Sequence, residues 1–105
     1  MLEDVLERAK ELTKYQGEVR VKVRPLKTSI ARVSFRHGTI TVDPSVLNLS
    51  EEEILYILVH ELAHLKAGTV YHSSLFWEVV SQVFPKEIAV EMEDRIILKL
   101  RKKLV

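Results

Sequence analysis

The amino-acid sequence predicts one α+β domain: an N-terminal helix, a small three-stranded sheet with a β-hairpin, a long central helix, and two further C-terminal helices. Three observations lead there. Apolar residues recur at helical spacing over residues 2–14, alternate from Glu18 to Asp43, and return to helical spacing from Glu51 onward. Glycines and prolines stand at the joints between these stretches. A chain of 105 residues with no repeats, low-complexity tracts or linkers suits a single compact unit, residues 1–105.

Leu2, Val5, Leu6, Ala9 and Leu12 form the apolar stripe of the first helix, with charges opposite and Gly17 as its expected end. EVRVKVR (18–24) then alternates strictly, placing Val19, Val21 and Val23 on one face of a half-buried strand that Pro25 closes. IARVSFR (30–36) and TITVD (39–43) alternate again around His37-Gly38, a two-residue link of the kind that turns a hairpin, and Pro44 ends the third strand. Ser50 and Glu53 form the pattern of a capping box, with Glu51 and Glu52 adding negative charge at the start of a helix over 51–67. Gly68 is its expected C-cap. A loop over 69–72 leads to a short helix near 74–83. Pro85 suits the first position of the last helix, whose Ile88, Met92, Ile96, Leu100 and Leu104 stand four residues apart.

The totals exclude several chemistries. There is no cysteine, which removes disulfides, thiolate catalysis and sulfur-ligated zinc. Sixteen basic and fifteen acidic residues give a net charge of +1, so no strong field points to nucleic acid or anionic lipid. No apolar stretch reaches ~18 residues and the acidic, amphipathic N-terminus is no signal peptide, so no membrane span and a cytoplasmic location are expected. With 30% charged residues, one Asn and two Gln, the composition leans towards a thermophile.

The central helix carries the chemistry. From Ile54 to Leu65 its apolar residues fall on every side, the pattern of a buried helix, yet His60, Glu61 and His64 stand in its middle turns. In a dry interior these groups would cost several kcal/mol unless satisfied. Histidines four apart project from one face, ~6 Å apart along the axis. That spacing suits one tetrahedral cation, while Glu61, about 100° round the helix, can reach a water on its open side. This is the content of the H-E-x-x-H signature: two ligands and a general base. Two residues downstream can complete the site. His72 ends the loop just before the short helix, where Phe76 and Trp77 can hold it against the core. Glu78 lies on that helix, as a ligand or as a partner to a ligand imidazole.

HELAH, a further histidine in HSSLFW, the preceding hairpin and the helix start SEEEILYILV together resemble the minigluzincins, over residues from about 20 to 84. These are soluble zinc metallopeptidases of about this length, related to the catalytic domains of CAAX-processing and HtpX-type membrane peptidases. A more distant likeness is to the SprT-like and YgjP-like proteins. The resemblance implies one Zn2+ per chain held by His60, His64 and His72, with Glu61 as catalytic base. Most gluzincins use glutamate as third ligand, whereas minigluzincins have histidine, which agrees with His72. The aspartate of larger gluzincins is missing, since Phe76 stands four residues after His72. The resemblance also implies a zymogen whose C-terminal segment, within residues 86–105, blocks the cleft.

The expected activity is that of a zinc-dependent metalloendopeptidase, in which Glu61 activates a zinc-bound water against a peptide bond. Tyr71, beside the third ligand, and Tyr56, about 40° from His60 on the helical wheel, are candidate oxyanion donors. A peptide or protein substrate would add as a β-strand to an exposed sheet edge. Two other classes compete. A metal-dependent nuclease conflicts with Glu61, where such sites place glycine; a catalytically silent zinc-binding module would keep the metal alone. The edge strand and the last helix leave monomer and dimer both open.

Overall fold

The computed structural model describes residues 1–105, and its helices and strands follow the predicted order: α1 (Leu2–Thr13), β1 (Arg20–Val23), β2 (Ala31–Ser34), β3 (Thr39–Val42), α2 (Glu51–Ala67), α3 (Ser74–Ser81) and α4 (Lys86–Leu100). A 3-10 turn over Pro44–Asn48, which the periodicity does not announce, joins β3 to α2. The α+β class is as predicted. The long helix α2 is the hub: α1, β2, α3 and α4 all pack on it. No helix is long and apolar enough to cross a membrane.

Two ends differ from expectation. Helix α1 stops at Thr13, not at Gly17, because Lys14 takes the left-handed conformation (φ 57°) and the Tyr15 N–H bonds back to the Lys10 carbonyl at 3.0 Å. Gly17 serves the Tyr15 ring instead, since a Cβ there would lie 2.8 Å from its hydroxyl oxygen. At the other end, α4 begins at Lys86 with Pro85 as N-cap, and it does not run on to Leu104. Arg101 turns left-handed (φ 58°) and ends it. Leu104 still reaches the core, but on an extended tail.

That tail makes a single parallel bridge just ahead of β2. Lys103 pairs in parallel with Ser29, its N–H donating to the Thr28 carbonyl (2.9 Å) while its carbonyl accepts the Ile30 N–H (2.7 Å). Lys102 anchors it by donating to the Leu26 carbonyl (2.6 Å) and the buried Asp43 carboxylate (2.8 Å).

The sheet order is β1-β3-β2, with β1 parallel and β2 antiparallel to β3. The most apolar and buried strand, β3, takes the centre, and β1 is an edge whose valines are only partly covered. The hairpin is longer than a two-residue link. Ser34 pairs with Thr39, so Phe35–Gly38 all belong to the turn. Gly38 is needed there: its φ is 58°, and a Cβ would come within 2.8 Å of the Glu18 carbonyl.

Helix α2 begins and ends as predicted. The Ser50 N–H donates to Glu53 (2.9 Å) and the Glu53 N–H to the Ser50 hydroxyl (3.2 Å), which completes the capping box. Gly68 closes the helix with φ 70°. Every residue from Glu53 to His64 is buried.

Candidate metal centre

His60 and Glu61 are each 1% exposed and His64 is 2% exposed, so α2 delivers three polar side chains into the interior. His72 comes from the loop before α3 and is exposed. One ligand nitrogen from each of His60, His64 and His72 lies within 4.8 Å of the others. Phe76 brings these rings together: its centroid is 5.0 Å from that of His60 and 4.6 Å from those of His64 and His72. The Trp77 ring meets Phe76 edge-on at 5.3 Å. The Ser73 side chain caps α3, which fixes where that helix starts and hence where His72 points back.

The hydrogen-bond inventory is incomplete in one place only. His60 Nδ1, His64 Nε2 and both carboxylate oxygens of Glu61 are buried without a partner. Each such group costs roughly 1–3 kcal/mol, so four of them on one stretch of α2 need counterparts. His64 shows which nitrogen is free, because its Nδ1 is engaged with the Thr69 carbonyl at 3.0 Å. Burial, then the neighbouring charges of His64 and His72, brings His60 down to about 3. Burial also lowers His64. Both imidazoles are therefore neutral at ordinary pH, with lone pairs to give. Burial, followed by the charge of Glu93, pushes Glu61 well above the usual carboxylate range. Three clustered imidazoles, no thiolate and a carboxylate beside them fit a divalent metal ion of the catalytic kind.

The remaining predicted residues separate. Glu78 is exposed on the far side of α3, in a groove shared with Lys66 and Lys86, and lies outside the histidine cluster. Tyr71 is 76% exposed next to His72. Tyr56 is buried, and its hydroxyl donates to Glu93 at 2.9 Å. Glu93 itself, on α4, is absent from the sequence-based list. Its signal was a carboxylate on the buried stripe of α4, between Ala89 and Ile96.

The main-chain oxygen of Val105 also lies in the centre. It is 3.2 Å from His60 Nε2 and lies against His64 as well. The tail thus runs from the sheet edge to the histidines.

The same fold recurs in solved structures. The chain is similar to the crystal structure of the metallopeptidase zymogen abylysin of Pyrococcus abyssi, with a TM-score of 0.97, 64% identity and complete coverage (100%) of both chains. It is also similar to the metallopeptidase zymogen jannalysin of Methanocaldococcus jannaschii, with a TM-score of 0.85 and 29% identity over 95% of this chain and 97% of that one. An uncharacterized protein of Methanocaldococcus jannaschii is 39% identical over 89 residues, covering 84% of this chain and 78% of its own length. The family model of the YgjP-like metallopeptidase domain matches residues 1–95, which include His60, Glu61, His64 and His72, and the chain belongs to that metallopeptidase family.

Proposed function

We propose that this metallopeptidase is a zinc-dependent endopeptidase held latent by its own tail. In this reading His60, His64 and His72 hold one zinc ion, Glu61 is the catalytic base, and residues 101–105 occupy the cleft. The observation that carries it is the three-histidine cluster beside a buried Glu61 whose oxygens have no partner. Zinc bound there supplies Lewis acidity towards a carbonyl oxygen and a water with pKa near ~7. Glu61 takes a proton from the attacking water and hands it to the leaving amine. The neighbouring buried ring of Phe76 excludes bulk water from one side, which strengthens each electrostatic contact. Of the two tyrosines, Tyr71 keeps a hydroxyl free for a substrate oxyanion, because that of Tyr56 is committed to Glu93.

The tail supports both latency and the mode of substrate binding. It adds to the sheet edge at Thr28–Ile30 through main-chain hydrogen bonds, the way an extended peptide is recognised by strand addition. A peptide or protein substrate uses the same edge once the tail has left.

The test compares the full chain with one ending at Leu100, each loaded with zinc, on an unfolded protein substrate. The shortened chain should hydrolyse it at least tenfold faster, and Glu61→Ala in the shortened chain should keep zinc and lose hydrolysis. A folded, zinc-loaded, tail-less chain that hydrolyses nothing would establish a silent zinc-binding module in place of the enzyme.

A further inference from the structure

We propose that Glu93 is the positioning residue of the metal centre: it holds His60 in the tautomer that can ligate a metal. This rests on His60 being a ligand, as proposed above. It makes α4 part of the active site, so that the removable latency segment is the tail alone.

The two nitrogens of His60 have different surroundings. Nε2 faces the centre, 3.2 Å from the Val105 oxygen that also lies against His64. Nδ1 faces away, buried and without a hydrogen-bond partner, 3.5 Å from Oε1 of Glu93. That same oxygen accepts the Tyr56 hydroxyl at 2.9 Å. Tyr56 is fully buried and set edge-on against Phe84 at 5.5 Å, so it steadies the carboxylate from a rigid position. His64 shows the equivalent arrangement with a backbone acceptor, its Nδ1 on the Thr69 carbonyl at 3.0 Å. Each buried histidine of α2 thus has one nitrogen for the centre and an oxygen waiting at the other. Helix α3 offers neither ring an acid, because Phe76 fills the space between them. Glu93 of α4 supplies what α3 does not.

The tautomers decide what Glu93 does. A main-chain oxygen only accepts, so the Val105 contact requires a hydrogen on Nε2 of His60. That tautomer has no lone pair at Nε2 for a metal. A hydrogen on Nδ1, directed at Glu93, frees the Nε2 lone pair. The tail and the metal therefore require opposite tautomers of one ring, and Glu93 stands on the side that favours the metal.

The experiment measures zinc affinity by competition with a chromophoric chelator on the full chain, for wild type, Glu93→Ala, Glu93→Gln, Tyr56→Phe and His60→Ala. The absorption spectrum of each cobalt-substituted form and the melting of each metal-free form accompany it. Glu93→Ala should weaken zinc roughly 10–100-fold and shift the cobalt bands. Glu93→Gln, which keeps the volume and an acceptor but loses the charge, should fall between it and wild type. A purely structural Glu93 would lower the melting point of the metal-free form and leave affinity and spectrum unchanged. Wild type that binds no zinc would overturn the three-histidine site itself. Wild type that binds zinc, with both Glu93 variants within twofold and unshifted cobalt spectra, would overturn only the positioning role. Should Glu93→Ala fail to fold, the near-isosteric Glu93→Gln decides.

Discussion

Glu53 and Glu61 stand eight residues apart on α2, and each is 1% exposed. The helix treats them in opposite ways. Glu53 accepts from the Ser50 N–H at 2.9 Å, Arg95 Nε at 3.1 Å and Lys99 Nζ at 2.8 Å. Burial alone would raise its pKa, but the Lys99 ammonium, the Ser50 N–H and the Arg95 guanidinium outweigh that and hold it at about 2. Glu61 accepts from nothing, and burial drives it the other way. Glu53 ties α4 to the first turn of α2 and strengthens the fold. Glu61 weakens the fold by the desolvation of two unpaired oxygens. A buried carboxylate with partners is architecture; one without them fits the reaction proposed for Glu61.

The sharpest way to break this contrast is Glu61→Gln. Peptide hydrolysis by the tail-less chain should fall by about 10²–10⁴, while the metal-free protein melts at the same temperature or higher. A variant that still hydrolyses at the wild-type rate would make Glu61 a mere burial error. Glu53→Ala should do the reverse. It strands two cations and removes half the capping box, for about 2–3 kcal/mol, a figure kept below the fully buried value because Arg95 and Lys99 are half-exposed. The melting midpoint should drop roughly 10–20 °C, with catalysis per folded molecule unchanged. An unaltered midpoint would show that Glu53 braces nothing.

Acid unfolding sharpens the same comparison. The pKa of Glu53 is lowered from 4.5 to about 2 on folding. A lowered carboxylate contributes stability that is complete above its unfolded value and is lost as pH falls through its folded one. Wild type should therefore lose stability between pH 4.5 and about 2 more steeply than Glu53→Gln. Parallel acid limbs would show that other carboxylates carry that titration.

What was legible in the sequence follows the range of the interactions. The capping box and the Gly68 stop are local chemistry, and both appear where the residues put them. His60, Glu61 and His64 were legible as a contradiction, ionisable groups on a helix apolar all round. His72 depends on a loop of modest length and was one of two candidates until Phe76 gathered the rings. Glu93 was not legible, because only the docking of α4 onto α2 sets it against His60, 33 positions away by number. Nor was the tail. Leu100 and Leu104 keep helical spacing, yet Asp43, 59 positions from Lys102, captures that lysine and draws the chain off the helix.

Asp43 supplies the last test, since it is a third buried carboxylate whose cation sits on a removable segment. Burial would raise its pKa, but the Leu26 N–H, then Lys102 and Ser45, hold it below the usual carboxylate range. Lys102→Ala removes one of these partners and leaves the others, so the fold as a whole should be nearly unaffected. The local loss should be about 1 kcal/mol, roughly a fivefold rise in the population with the tail detached. Amide exchange at Ile30 and Lys103, whose N–H groups bond across the tail contact, should quicken by that factor, while the amides of α2 exchange as before. Hydrolysis by the full-length chain should rise in step. Unchanged exchange at Ile30 would mean that Leu104, buried in the core, holds the tail without help from the ion pair.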